Sequence, residues 1–220
     1  MKKKVVIKIL GVGAGIVGCG ILGWIFYPII SYQINAPVLM TFLSPLVNES
    51  EVLGSNLGGD YTKASTWFPA ANADFNEGSS TTYKISIPRL GIKNASVSIG
   101  GEDLSESLIQ YPGTAIPGQI GNAVIFGHSV LPAFYDPSDY LAIFSTLPTL
   151  IKGDSVTIDY DGITYKYLVE EKYEVEPSDI QILSQDQSDS FITLVTCVPP
   201  GLTTRRAIIK ARIVPVRSAV

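Results

Sequence analysis

One histidine, one cysteine and a pair of arginines could together do covalent chemistry in this sequence. Cys197 ends the apolar run that begins at Thr193, and a Pro-Pro-Gly turn follows it almost at once. Arg205 and Arg206 open the next apolar run, and His128, the only histidine, follows an earlier one. A cysteine nucleophile needs a base to form its thiolate and a cation for developing negative charge. The pattern therefore predicts catalysis by Cys197 with His128 and one of the arginines.

Each of these residues also has a structural interpretation. A lone histidine is commonly a half-buried structural residue, and a lone cysteine on a strand is often a small core residue. The second cysteine, Cys19, lies in a distant apolar segment, so we expect no disulfide and a free thiol at Cys197. A non-catalytic, membrane-anchored surface β-domain with a structural Cys197 is the alternative hypothesis.

Length and charge limit the classes of protein to consider. A chain of 220 residues, 46% of them apolar, is long enough for one good core. The net charge of −4 lacks the basic footprint of a nucleic-acid-binding protein, so no nucleic-acid partner is expected.

The first thirty residues predict a transmembrane anchor. Lys2–Lys4 precede an apolar run, and Ile9–Ile30 contains no charge. As a helix, that stretch would span ~33 Å, enough for a hydrocarbon core of ~30 Å. A Lys-rich flank stays in the cytoplasm, so we expect a single-pass cell-membrane protein with its N-terminus inside and the remainder outside.

A cleaved signal peptide and a lipoprotein signal are less favoured interpretations of the apolar run. A cleaved signal peptide would have a core of ~7–15 residues and an A-x-A site, which is not cleanly present. A lipoprotein signal is suggested by Ile16–Cys19, but the residues after a lipidated cysteine should turn polar, and Gly20–Ile30 stays apolar.

The rest of the chain divides into a stalk and a domain rich in strands. Residues 31–81 lack periodicity and predict an extracellular stalk or linker, with a short helix packed on the domain. The domain occupies residues 82–216, and short helices are expected in it at Leu104–Ile109 and Leu141–Leu147. Apolar alternation predicts strands at Tyr83–Ile87, Ile92–Ile99, Asn122–Gly127, Val156–Tyr160, Ile163–Val169, Phe191–Cys197 and Ala207–Val214. Asp161-Gly162 predicts a tight hairpin. These elements indicate an all-β fold, either a closed barrel or a sandwich.

The motifs resemble those of the sortase family. Thr193–Cys197 matches the T-L-x-T-C signature of sortases, with an arginine at the start of the following strand. Ile87–Ile92, Gly127–Ser129 and Lys152–Asp154 also fit that family in the correct order. The resemblance covers about residues 82–214, which is the whole predicted domain.

The resemblance implies an eight-stranded sortase β-barrel whose substrate groove lies on its outer wall. In that view Cys197 attacks the Thr–Gly bond of an L-P-x-T-G-like sorting signal, and His128 protonates the leaving amine and later deprotonates the acceptor. An arginine stabilises the oxyanion, and Thr196 borders the site as a substrate-binding residue. The partners would be surface proteins with C-terminal sorting signals and an amine acceptor on cell-wall precursor or on another protein. This chemistry needs no cofactor and no metal.

Side-chain parity selects between the two arginines. Side chains alternate between the faces of a strand, so one parity faces the barrel interior and the other the outer wall. The inward set is expected to be Ala207, Ile209, Ala211 and Ile213, and the outward set Arg206, Ile208, Lys210 and Arg212. An outer groove therefore favours Arg206 over Arg205 as the catalytic arginine.

Some features differ from better-known sortase subgroups. Pilus-building sortases often carry a lid with Asp-Pro before an aromatic residue, and a second membrane helix. Here the only Asp-Pro is Asp136-Pro137, and the chain ends without an apolar tail, which favours an anchoring role. The acidic residues from Glu174 to Asp189 are interpreted as a solvated loop rather than a calcium site. Other cysteine transpeptidases, which cross-link peptidoglycan, are disfavoured because they place histidine and cysteine in one short motif.

Overall fold

The computed structural model describes residues 2–35, 60–68, 71, 73–75 and 81–215. The chain forms two compact units, Met1–Leu39 and Met40–Val220. Much of the expected stalk, at 36–59 and 76–80, lies outside the described residues, as does position 216 at the end of the expected domain.

The first unit contains one long helix. Helix α1 runs from Lys2 to Asn35, five residues beyond the end expected for the anchor. Its segment Leu10–Tyr27 is 18 residues long and is apolar enough to cross a membrane. This confirms the predicted apolar helix at the N-terminus.

The second unit is a closed barrel of eight strands, as expected from the resemblance. The strands are β1 (Thr82–Ile87), β2 (Ile92–Ile99), β3 (Leu108–Gln110), β4 (Gly121–Phe126), β5 (Ser155–Tyr160), β6 (Ile163–Val175), β7 (Ser190–Val198) and β8 (Arg205–Ile213). Their order around the barrel is β1-β2-β3-β4-β7-β8-β6-β5, which closes because β5 pairs with β1. Closure leaves no open edge along the sheet.

Two of the neighbouring strand pairs are parallel, β2 with β3 and β4 with β7, and the others are antiparallel. The hairpin between β5 and β6 turns at Asp161 and Gly162, whose φ angles are 50° and 74°. Two successive positive φ values suit a two-residue hairpin turn, in which Asp and Gly are favoured.

The expected short helices at Leu104–Ile109 and Leu141–Leu147 are not present as helices. Turns follow Leu104, and the apolar residues at the end of that stretch belong to β3. Turns also occupy Leu141–Thr146, and a 3₁₀ helix begins at Leu147. The other 3₁₀ helices are Ala64–Thr66, Pro88–Leu90, Pro132–Phe134 and Ile180–Leu183.

Buried apolar residues form two clusters, one on each side of the barrel wall. The interior cluster includes Ile85, Ile158 and Leu194, and it also contains Ile209 and Ala211 of β8. The outer cluster contains Phe126, Val195 and Ile208 together with Trp67 and Phe68. The alternation predicted for β8 is therefore observed at residues 208, 209 and 211. Residues Asp60–Phe68, which we call the covering segment, contribute to the outer cluster.

Candidate active site

The parallel pair β4–β7 brings His128 beside Cys197. Phe126 pairs with Val195, and the Gly127 amide donates a hydrogen bond of 3.1 Å to the Val195 carbonyl. Two further bonds join the strand ends: Thr196 Oγ1 donates to the Gly127 carbonyl at 2.8 Å, and Ser129 Oγ donates to the Cys197 carbonyl at 2.7 Å. Gly127 and Ser129, on either side of His128, are therefore hydrogen-bonded to Thr196 and Cys197.

Gly127 allows the chain to pass through a crowded point directly before His128. A Cβ atom at this position would lie 2.5 Å from side-chain atoms of both Leu108 and Phe144. No side chain fits there without displacing the core, so the glycine helps to fix the backbone that carries the histidine.

Arg206 lies directly opposite Cys197 in the antiparallel pair β7–β8. Its side chain is 1% exposed, its Nη1 donates to the Thr203 carbonyl at 2.9 Å, and its Nη2 donates to the Trp67 carbonyl at 3.2 Å. Among the described residues, Nε has no hydrogen-bond partner and no carboxylate forms a salt bridge with the guanidinium. Arg206 is thus a buried cation that already binds a peptide carbonyl and has an unused donor.

Arg205 has different surroundings. Its side chain is 39% exposed, and its Nε lies 3.7 Å from a Glu174 carboxylate oxygen and 3.8 Å from one of Glu176. These acidic neighbours balance its charge at the surface of the barrel.

Trp67 of the covering segment contacts both His128 and Arg206. Its ring stacks on Phe126 at 5.5 Å between centroids and meets the His128 imidazole edge-on at 5.7 Å. The Arg206 guanidinium lies 5.2 Å from the Trp67 ring centroid, a distance that permits a cation–π interaction. The site is therefore covered by a part of the chain that the sequence predicts to be a stalk with a short helix packed on the domain, and the 3₁₀ helix Ala64–Thr66 lies in this part.

Hydrogen bonds to residues 102–104 hold the covering segment in place. The Ala64 amide donates to the Glu102 carbonyl at 2.9 Å, and the Leu104 amide donates to the Thr62 carbonyl at 2.8 Å. Ser65 Oγ donates to Glu102 Oε1 at 2.5 Å. The segment and this stretch thus form one isolated antiparallel bridge, between Lys63 and Asp103.

Burial keeps the two reactive groups neutral in this covered form. It raises the pKa of the Cys197 thiol, an effect that the positive charge of Arg206 opposes. It also lowers the pKa of His128, which the carboxylates of Asp103 and Asp60 oppose. Near neutral pH the covered site therefore holds a thiol and an uncharged imidazole.

Thr196 is completely buried, and its hydroxyl is directed to the Gly127 carbonyl.

Both cysteines are free, as expected. Within the described part of the chain, no group of three or more His, Cys, Asp and Glu side chains is placed to hold a metal ion.

Comparison with known proteins identifies relatives of this barrel. The family model of the sortase domain matches residues 85–214. A sortase D5 transpeptidase from Clostridium perfringens is 25% identical, covering 64% of this chain and 82% of its own, with a TM-score of 0.54.

Two further structures show a similar degree of likeness. A lid mutant of sortase A from Corynebacterium diphtheriae is 28% identical over 62% of this chain and 71% of its own, with a TM-score of 0.54. A pilus-related sortase C of Group B Streptococcus is 28% identical over 64% of this chain and 70% of its own, with a TM-score of 0.53. A comparison with curated proteins gives no match. Since the sortase domain model matches more than half of the sequence, the chain belongs to the sortase family.

Proposed function

We propose that this sortase-type transpeptidase uses Cys197 to cleave an L-P-x-T-G-like sorting signal and transfers the surface protein to an amine acceptor. The observation that carries the proposal is the placement of Trp67, which touches both His128 and Arg206 directly above the end of β7. When this ring leaves, a base, a cation and a thiol border the same vacated space on the outer wall.

The first half of the reaction forms a thioester. His128 takes the proton of the Cys197 thiol as the sulfur attacks the threonyl carbonyl carbon, and the C=O π electrons move to the oxygen, which Arg206 stabilises. As the tetrahedral intermediate collapses, the C–N bond breaks and His128 delivers a proton to the leaving glycine amine. Arg206 suits its role because it already donates to a peptide carbonyl, that of Trp67.

The second half of the reaction returns the thiol. The acceptor amine attacks the thioester carbon, a new C–N bond forms, and the C–S bond breaks. His128 takes the proton that the amine loses and passes it to the departing sulfur, so the thiol of Cys197 and the uncharged imidazole are both restored. The acceptor would be an amine on cell-wall precursor or on another surface protein.

Access to the site requires the covering segment to move. Cys197 is 4% exposed, which is too little for a peptide carbonyl to reach the sulfur. A similar structure is a lid mutant of a sortase A, and the covering segment is the part of this chain placed to serve as a lid. The covering segment is present in this chain although no Asp-Pro motif precedes it. The lack of that motif therefore no longer supports an anchoring role over polymerisation.

Thr196 is proposed to act on the substrate by positioning the site. Its hydroxyl joins the end of β7 to the residue before His128, so it holds the histidine and the cysteine together. A direct contact between Thr196 and the sorting signal stays a prediction.

Helix α1 is proposed to anchor the enzyme in the cell membrane, with its N-terminus in the cytoplasm and the barrel outside. The apolar segment of the helix and the lysines that precede it support this orientation. The barrel would then face the same compartment as exported substrates.

The test uses the full-length chain, purified in detergent, with an L-P-x-T-G peptide and an added amine. Cys197→Ala and His128→Ala should each abolish cleavage, because the nucleophile or the proton carrier is missing. Cys19→Ala is the matched control and should keep wild-type activity. Cleavage that persists in Cys197→Ala, with a melting temperature close to that of the wild type, would exclude the mechanism. A wild-type chain that cleaves no sorting signal, and whose thiol reacts only after unfolding, would favour the non-catalytic β-domain.

A further inference from the structure

An acidic cavity lies beside the covering segment. It has a volume of about 280 Å³ and is lined by Thr62, Lys63, Glu102, Asp103 and Glu106. Three of the five lining residues carry a carboxylate, and Asp103 and Glu106 are exposed to solvent. Of the lining residues, only Asp103 enters the site electrostatics described above, through its effect on the pKa of His128.

Glu102 has an unmet requirement for a hydrogen-bond donor. Its side chain is 8% exposed, Oε1 accepts from Ser65 Oγ, and Oε2 has no partner among the described residues. A buried carboxylate oxygen without a donor is unfavourable, because the water that solvated it has been lost and not replaced. When the covering segment leaves, the donor on Ser65 is lost as well. Water replaces that donor on the uncovered carboxylate, and both oxygens are then able to accept hydrogen bonds from a cationic ligand.

We propose that this acidic cavity is a subsite for an alkylammonium group, either a lysine side chain of the peptide substrate or a positively charged group of the amine acceptor. An ammonium offers three donors and no acceptor, which matches a wall of carboxylates. The covering segment already places a lysine there, since Lys63 lines the cavity.

The cavity is close enough to the reactive residues to affect a bound substrate. Ser65 contacts Glu102, and Trp67, two residues later, contacts His128 and Arg206. A peptide following the path of the covering segment would thus have a side chain at the cavity when its backbone reaches Arg206. The inference rests on the proposed function for the identity of the substrates. The cavity and its charge can be tested without turnover.

The first test measures how fast the thiol of Cys197 reacts in the full-length chain, with Cys19 replaced by alanine because both cysteines are free. The two reagents are 2-aminoethyl methanethiosulfonate, which is cationic, and the neutral propyl methanethiosulfonate. Both reagents reach the thiol only when the covering segment opens, so the ratio of their two rates does not depend on how often the segment opens. Glu102→Gln should lower the ratio of cationic to neutral rate about tenfold, in the range for a hydrogen bond to a charged group. Glu106→Gln, at an exposed position that does not endanger folding, should lower it several-fold.

Glu171→Gln, on the exposed face of β6, is the matched control and should leave the ratio unchanged. An equal ratio in the wild type, Glu102→Gln and Glu106→Gln would overturn the subsite, whether or not the enzyme cleaves any peptide. This readout separates a failure of the subsite from a failure of the proposed function.

The second test identifies the source of the cation. Sorting-signal peptides with lysine or norleucine at each successive position are compared in cleavage, and 1,3-diaminopropane is compared with butylamine as the acceptor. A lysine preference of about tenfold that Glu102→Gln removes assigns the cavity to the peptide, and a diamine preference removed by it assigns the cavity to the acceptor. Absence of both preferences in an enzyme that cleaves the parent peptide would overturn the subsite and leave the proposed function intact.

Discussion

Replacing Trp67 by alanine should uncover Cys197. The Trp67 side chain has no exposed surface and packs against Phe126, His128 and Arg206. Truncation of a buried tryptophan to alanine costs about 3–5 kcal/mol. Most of these contacts join the covering segment to the barrel, so most of the lost free energy should destabilise the covered form and not the uncovered form. Since 1.4 kcal/mol is a factor of ten, the uncovered population should rise at least about a hundredfold.

The assay is the rate at which iodoacetamide alkylates Cys197 in the folded, full-length chain, with Cys19 replaced by alanine. When closing is faster than alkylation, this rate follows the uncovered population. We therefore expect Trp67→Ala to react about a hundredfold or more faster than the parent chain, up to the limit of a fully open site. The midpoint of its alkylation pH profile should also fall, because the burial that raises the pKa of the thiol is relieved.

Two further variants make this result interpretable. Phe134→Ala removes an aromatic residue that is 67% exposed, and it should leave the alkylation rate unchanged. Ser65→Ala removes one hydrogen bond between the covering segment and Glu102, and it should raise the rate about tenfold. An unchanged rate in Trp67→Ala, with a normal melting temperature, would show that the segment does not control access to the thiol.

Three other predictions concern pH, the arginines and topology. Covering lowers the pKa of His128 from its ordinary 6.5 and raises that of Cys197 from 9.0. The covered form should therefore be most stable between pH 6.5 and 9.0. Below this window His128 of the uncovered form gains a proton, and above it Cys197 of the uncovered form loses one, so uncovering is favoured on both sides. Trypsin cleavage after Lys63, normalised to cleavage of a free peptide, should be slowest within the window. Arg206→Ala should cost about a hundredfold in cleavage rate and Arg205→Ala far less; a larger loss from Arg205 would refute the assignment. Protease added to intact protoplasts should remove the barrel, and full protection would reverse the orientation.

The strands were predictable because their alternation is local. Tyr83, Ile85 and Ile87 all face inward from β1, and the same period marks β5 and most of β6. β3 was not predictable, because three buried residues carry no period of their own. Leu104 and Leu108 are four residues apart, as on one face of a helix, and only the parallel pairing of Leu108 with Val97 makes the second a strand residue.

The sequence indicated which residues could form the candidate site, but not what surrounds them. A family signature, a following arginine and a single histidine made Cys197, Arg206 and His128 the candidates, and their catalytic roles stay predictions. Packing of this segment on the domain was expected, but its position over the site was not, because its contacts are long-range: the hydrogen bond from Arg206 to Trp67 joins residues 139 positions apart. Adjacent aromatic residues in a stretch without periodicity gave a signal at Trp67 and Phe68, yet nothing in the sequence shows which surface such a pair will bury.

The parallel pairing of β4 with β7, with β8 on its far side, constrains the order of events when a newly made chain folds. The cysteine and the histidine can meet only after the intervening β5 and β6 have been synthesised, and Arg206 joins them only when β8 docks. The covering segment, though early in the chain, cannot complete its contacts with Arg206 until that wall exists. Each nascent molecule must therefore pass through a stage in which the thiol is formed but unprotected. During that interval an oxidant in the surrounding medium could inactivate the molecule before it has met its first substrate.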